Sequence, residues 1–386
     1  MPPFIFNTAA RIVIEPGAAA RLAELMPVAK PGKLMFVTDA GIVRLGLCAP
    51  ALASLEAAGW EVIVFDAVEP DPSLKTLMAA VASGASNGIS AVVGFGGGSS
   101  LDIAKLVALI CGSGEELDGA WGVNNARGPR LPLLLVPTTA GTGSEVTPVA
   151  IITVSEDEKR GVSSPLLQPD VAVLDARLTL GLPAEITAAT GVDAMVHAIE
   201  SYASTNANNN PLTRLLAREA LRLLGANLAR VISHPSDVEA RGAMLYGSML
   251  AGMAFGNAPV AAVHALAYPI GSMFHVSHGR SNALVLPHVL RFNAPVAANI
   301  YAEIAADTFP ALAEIADPVA RCAAFIERLA GLVSALGMPI RLRDVGITEE
   351  ALAPMARAAI KQTRLLVNNP RAVREEDALA IYQAAW

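Results

Sequence analysis

Ala91-Val-Val-Gly94-Phe-Gly96-Gly97-Gly98-Ser99-Ser100-Leu-Asp102-Ile-Ala-Lys105 is the stretch whose reading decides the fold. A short apolar run passes into three glycines and then into a helical pattern. Glycines let the backbone approach a phosphate closely. The free N–H groups at a helix start, at the positive end of its dipole, bind an anion. Ser99 adds a hydroxyl donor, although it stands where G-x-G-x-x-G would have its third glycine. The plain alternative is a tight turn with Ser99 or Ser100 as N-cap. The strand before and the helix after tip the reading towards a pyrophosphate held by Gly96, Gly97, Gly98 and Ser99.

Outward from this stretch the same alternation repeats. Arg11–Ile14, Leu34–Val37, Val62–Phe65, Ala91–Val93, Leu133–Val136 and Val171–Leu174 are short apolar runs. Helical patterns over 17–25, 50–58 and 73–86 lie between them. Continuous apolar runs separated by helices predict a parallel sheet covered on both faces. The fold class is therefore α/β, a doubly wound, Rossmann-like domain over residues 1–182. Beyond Leu182-Pro183 the texture changes to helical periodicity over 184–203, 211–233, 236–255 and 260–273, with Asn206–Pro211 as a turn-rich break. Residues 183–386 are expected to form an all-α domain.

The 386 residues fit two or three domains, at ~100–200 residues each. Hydrophobic residues make up 53% and aromatics only 5%, which argues for cores of Ala, Leu and Val and closely packed helices. A net charge of −7 and no basic stripe argue against nucleic acid. From Gly242 to Gly279 there is no Asp, Glu, Lys or Arg, but Asn257, Pro259, His264 and Pro269 interrupt the run, so no membrane span is expected. The N-terminus shows no secretory signal, and Cys48, Cys111 and Cys322, odd in number and far apart, read as reduced thiols of a cytoplasmic protein. The apolar segment Pro3–Phe6 could pair as a strand across a dimer or be buried inside one subunit.

Two further loops follow strands. Asp39 lies just past Leu34–Val37, where an acidic side chain accepts from ribose hydroxyls and repels a 2′-phosphate, favouring NAD; an ordinary capping Asp is equally consistent. Thr138, Thr139 and Thr142, after Leu133–Val136, could line a cofactor cleft or form an ordinary polar loop.

The chemistry is concentrated in Gly191-Val-Asp193-Ala-Met-Val-His197 and His264 to His278. Asp193 and His197 share one helix face, one turn apart. A carboxylate buried beside an imidazole costs several kcal/mol unless compensated, and a divalent metal compensates it. One carboxylate with imidazoles suits Zn²⁺ or Fe²⁺ and does not suit Mg²⁺ or Ca²⁺. Any single His reads more simply as a satisfied core residue, yet four of the six fall in these two segments. Phe255, Tyr268 and Phe274 are candidates for a pocket wall or plain core. There is no G-x-S-x-G elbow, no catalytic-Cys context and no P-loop.

Taken together, these segments resemble the iron-containing (group III) alcohol dehydrogenase family along nearly the whole chain. The likeness rests on Phe6 to Gly17, Gly-Gly-Gly-Ser-x-x-Asp-x-x-Lys, Pro-Thr-Thr-Ala-Gly-Thr-Gly-Ser-Glu, Thr187 to Ala194, the His-rich segment and Asn369-Pro-Arg371. The resemblance implies a dehydroquinate synthase-like architecture, with metal ligands Asp193, His197, His264 and His278. It implies a pyrophosphate loop at Gly96–Ser99 with Asp102, an adenosine-side loop at Thr138, Thr139 and Thr142, the ribose selector Asp39, and Lys159 near the ribose and phosphates. A homodimer is common in the family. Many members carry a second His four residues after the third ligand; here that place is Tyr268, whose phenol is a weak base near neutrality. Tyr268 and His278 are the expected catalytic residues, with His275 either a substitute for the missing His or a surface residue.

The expected function is reversible hydride transfer between NAD(H) and a small primary alcohol, with Fe²⁺, or Zn²⁺, as Lewis acid. The rivals are a related branch acting on a polyol, a hydroxy acid or maleylacetate, and a non-catalytic nucleotide- or metal-binding protein.

Overall fold

The structure is a computed structural model and describes residues 3–155 and 158–386. Asn7–Gly181 forms one compact unit; Leu182–Trp386, together with the N-terminal residues through Phe6, forms another.

In the first unit the strands are β1 (Arg11–Ile14), β2 (Lys33–Val37), β3 (Glu61–Phe65), β4 (Ala91–Gly96), β5 (Gly122–Val123), β6 (Leu133–Pro137), β7 (Val149–Ser155), β8 (Glu158–Ser163) and β9 (Val171–Leu174). Six of them make a wholly parallel sheet in the order β1-β9-β6-β4-β2-β3. These are the six strands expected from the apolar runs. Because both faces are covered, residues of either parity are buried. Met35 and Val37 of β2 pack into one core with Leu101, Ile103 and Leu77, while Leu34 and Phe36 pack into the other with Leu22 and Leu55. Each such side chain contributes roughly 1.5–3 kcal/mol on burial. The chain runs from β2 out to β3 and returns to β4 on the other side of β2. The crevice at the carboxyl ends of β2 and β4 is therefore a topological switch point, where α/β sheets bind ligands.

The small sheet β5-β8-β7 has no counterpart in the sequence-based expectation. Lys159 and Arg160 of β8 pair with Thr153 and Ile152 of β7, and a charged, glycine-containing strand of this kind gives no apolar run.

The helical unit begins with Ala184–Ala203, followed by Pro211–Ser233, Val238–Asn257, Ala262–Phe274 and His278–Thr308. The Asn-rich break before Pro211 is a capping box: Asn210 accepts from the Thr213 N–H at 3.2 Å and the Thr213 hydroxyl accepts from the Asn210 N–H at 3.0 Å. The next helix starts two residues later than its periodicity suggests, because Asp237 accepts from the Ala240 N–H as N-cap. Within one chain Pro3–Phe6 pairs as no strand. Both backbone polar groups of Ile5 are taken by the Asn208 amide, at 2.9 and 2.8 Å, which ties this end of the chain to the helical unit. Among the described residues no single helix is long and apolar enough to cross a membrane.

Candidate active site

Three helices of the second unit converge on one cluster. Asp193 and His197 lie one turn apart on Ala184–Ala203, His264 is in the first turn of Ala262–Phe274, and His278 opens His278–Thr308. A Cβ on Gly279 would stand 2.2 Å from the Ala189 carbonyl oxygen. Only glycine lets this helix start press so closely on the Asp193 helix and bring His278 into place.

One ligand atom from each of the four residues lies within 4.8 Å of all the others. Asp193 Oδ1 is 3.5 Å from His278 Nε2, 3.8 Å from His264 Nε2 and 4.0 Å from His197 Nε2. Donors around a tetrahedral ion at ~2.1 Å stand about 3.4 Å apart, so the carboxylate oxygen already stands near that spacing from the imidazoles, while the widest pair, at up to 4.8 Å, closes by about 1 Å or more on binding. One carboxylate oxygen and three imidazole nitrogens are the donor set Fe²⁺ and Zn²⁺ accept. Burial pushes the Asp193 carboxyl up, but His197, His278 and His264 and the Asn282 N–H outweigh it and hold the group below its ordinary value. Asp193, His197 and His264 are buried, whereas the His278 side chain is 32% exposed, so the cluster opens on that side.

Around the ligands, the Phe255 ring stacks on His197 at 4.3 Å. The Tyr268 ring is 6.3 Å from that of His278, and its hydroxyl accepts from Arg364 Nη2 at 3.3 Å. Tyr268 therefore flanks the cluster with its oxygen engaged by a guanidinium. His275 is exposed at the end of its helix, with φ 56°, and takes no place in the cluster.

Two residues went unnoticed in the sequence. Glu200 Oε2 is 2.6 Å from His264 Nδ1, and its Oε1 accepts from the Val263 N–H at 2.6 Å. Asn282 Nδ2 donates to Asp193 Oδ1 at 2.6 Å and lies 3.4 and 3.3 Å from Nε2 of His264 and His278. Its Oδ1 is buried without a hydrogen-bond partner. A signal for Glu200 was present: it follows Asp193 by seven positions and His197 by three, on the same helix face.

In the first unit, the expected cofactor residues gather at the carboxyl ends of β2, β4 and β6. Gly97 is the N-cap of the Gly98–Ser113 helix and no side chain caps it, so neither Ser99 nor Ser100 plays that part. The first N–H groups are left for an anion. Gly96 has φ 154°, a conformation that favours glycine, and Asp39 Oδ2 lies 3.6 Å from where its Cβ would be. Asp39 Oδ1 meanwhile accepts from the Ile42 N–H at 3.0 Å as the N-cap of a short helix. The capping and ribose readings of Asp39 are thus compatible, one oxygen for each. Thr139 and Thr142 lie against Gly97 and Gly98, and the Thr138 N–H donates to Gly96 O at 2.9 Å.

Asp102 and Lys159 each meet protein partners. Asp102 Oδ1 accepts from the Ser144 hydroxyl at 2.6 Å and Oδ2 from the Ile151 N–H at 2.9 Å, so both oxygens brace the fold. Lys105 is fully buried; its ammonium donates to Ser144 Oγ at 2.7 Å, Val149 O at 2.8 Å and Thr147 Oγ1 at 3.2 Å, three acceptors for three N–H groups. Burial lowers Lys105 to about 8 and raises the neighbouring Glu145 to about 7. Lys159, on β8, has its ammonium 2.6 Å from Oδ1 of Asp71, in the segment that follows β3.

A doubly wound unit with an uncapped, glycine-led helix start, and a helical unit carrying a buried Asp-His₃ cluster, define a metal-dependent dehydrogenase. The family models agree along the chain: residues 9–176 match "Iron-containing alcohol dehydrogenase" and 187–386 match "Fe-containing alcohol dehydrogenase family, C-terminal". The protein belongs to the iron-containing alcohol dehydrogenase family. It is 39% identical over 390 residues to the long-chain-alcohol dehydrogenase 1 of Geobacillus thermodenitrificans, covering 98% of this chain and 97% of that one. It is 33% identical to the sulfoacetaldehyde reductase of Bilophila wadsworthia, covering 99% and 98%. Among solved structures, a 1,3-propanediol oxidoreductase matches with TM-score 0.95 and 33% identity, and an alcohol dehydrogenase from Oenococcus oeni with 0.94 and 30%, both over 100% of each chain. The protein is an oxidoreductase acting on CH–OH groups, with NAD and iron as its cofactors.

Proposed function

We propose that the protein reduces a small aldehyde with NADH and a proton to the primary alcohol and NAD⁺, and runs the reverse, with Asp193, His197, His264 and His278 holding Fe²⁺. The observation that carries this is the cluster itself, four donors of the right kind within 4.8 Å of one another. When bound, the dication supplies Lewis acidity towards the substrate oxygen, and NAD(H) supplies or accepts the hydride. Zn²⁺ satisfies the same donors.

The remaining work falls to the chain. The N–H groups of Gly98 and Ser99 hold the pyrophosphate. Asp39 Oδ2 accepts from the ribose, and Thr138, Thr139 and Thr142 line the adenosine side. His278, the most exposed ligand, faces the substrate, with Phe255 and Tyr268 excluding water. The protein acts in the cytoplasm as a homodimer. The test is NADH consumption with a series of short aldehydes, followed by light scattering for the dimer. No turnover of any of them sinks the proposal.

One observation favours a second reading, an aldehyde with a further polar or anionic group: the guanidinium of Arg364 at the Tyr268 hydroxyl, 3.3 Å away. Arg364→Met then raises KM for 3-hydroxypropanal or sulfoacetaldehyde and leaves that for propanal unchanged. Equal effects on all three exclude it.

A further inference from the structure

We propose that Glu200 is the positioning residue of the metal centre. Its carboxylate holds His264 with the proton on Nδ1, so that Nε2 is offered to the ion as a lone pair. The proposal rests on the reading that the Asp193 cluster binds a divalent metal.

Glu200 is buried, and each of its oxygens meets a donor: the His264 imidazole at 2.6 Å and the Val263 N–H at 2.6 Å. A carboxylate only accepts, so the hydrogen between Glu200 and His264 sits on Nδ1. The other ring nitrogen, Nε2, is the one that faces Asp193 Oδ1, at 3.8 Å. The Val263 contact fixes the carboxylate from the residue just before His264, so helix and ligand are set together. Glu200 also adds a second negative charge behind the ligand ring, and with Asp193 it matches the charge of a dication in a buried site.

This geometry makes the amide a sharp probe. In Glu200→Gln the side chain has the same shape but one oxygen for two donors. If that oxygen accepts from Val263, the amide NH₂ points at His264 Nδ1, turns it into an acceptor and sends the ring proton to Nε2, where the metal must bind. If the oxygen accepts from His264, the NH₂ meets the Val263 N–H, donor against donor.

The experiment titrates metal-free wild type, Glu200→Gln and Glu200→Asp with Co²⁺, reading the dissociation constant and the visible absorption bands of the bound ion. The fold is checked by thermal unfolding before metal is added. Glu200→Gln should weaken Co²⁺ binding about 10- to 100-fold and change the bands, and Glu200→Asp should fall between it and wild type. In a His264→Ala background the same Gln substitution should add nothing, because it acts through that ring. A Glu200→Gln protein that folds and binds Co²⁺ with wild-type affinity and bands overturns the proposal, as does an equal loss with and without His264. If Glu200→Gln does not fold, Glu200→Asp decides: weakened binding supports the role and unchanged binding overturns it. Wild type that takes up no Co²⁺ is a different result, one that removes the metal reading itself and Glu200's role with it.

Discussion

The Ser144 hydroxyl donates to Oδ1 of Asp102 at 2.6 Å, which ties the loop after β6 to the second turn of the Gly98–Ser113 helix. Asp102 also accepts from Ile151 and lies 3.7 Å from the buried Lys105 ammonium. Asp102→Ala leaves a hydroxyl, an N–H and a buried cation each short of a partner. The expected cost is about 2–4 kcal/mol of stability, with a rise in KM for NAD larger than that for the aldehyde. Urea unfolding and steady-state kinetics check both. An unchanged urea midpoint would mean that this network holds nothing in place.

Asp39 should select NAD over NADP by charge, and its capping role allows that to be separated from stability. Asp39→Ser keeps an N-cap oxygen for Ile42 while removing the negative charge. The ratio of kcat/KM for NAD to that for NADP should fall by about ten- to a hundredfold with little loss of stability. Asp39→Ala should relax the preference equally but also cost about 1 kcal/mol. A ratio that stays put in both variants removes Asp39 from cofactor selection.

His288 gives the fold an acid-sensitive point. Burial, and to a lesser degree Arg291, lower its pKa from 6.5 to about 4. Between those values the unfolded chain binds the proton more readily than the folded one, so stability is lost as pH falls from about 6.5 towards 4. Allowing for partial solvation of the ring, the loss is roughly 1–2 kcal/mol. Comparing urea midpoints at pH 7 and pH 5 for wild type and His288→Gln isolates it. The variant should lose less on acidification, and an identical loss would contradict the assignment.

How much of this was legible in the sequence follows from which forces were local. The six sheet strands were readable because a strand buried on both faces must be a continuous apolar run, as Leu133 to Val136 is. The Pro211 helix was readable from its periodicity and from the turn-rich Asn206–Pro211 break before it. β8 was not readable, since its charged residues Lys159 and Arg160 are held by pairing to β7 rather than by their own burial. In the candidate site, Asp193 and His197 were readable from their one-turn spacing, and the full set with His264 and His278 from the family resemblance. Glu200 was missed because its partner is 64 positions away in sequence, and that Asp39 caps Ile42 with one oxygen while the other faces Gly96 was hidden because Gly96 is brought up by sheet order. Tyr268 was visible as a departure, but that its oxygen belongs to Arg364, 96 residues on, was not.

Turnover should require a dication held by Asp193, His197, His264 and His278. That requirement is tested most directly by stripping the protein of metal, adding Fe²⁺ anaerobically or Zn²⁺, and following NADH consumption with short aldehydes. The stripped protein should be inactive, and Fe²⁺ should restore turnover. Asp193→Ala and His264→Ala should stay about 10³-fold or more below wild type with either metal. Full activity in the stripped protein, or in either variant, would contradict that requirement.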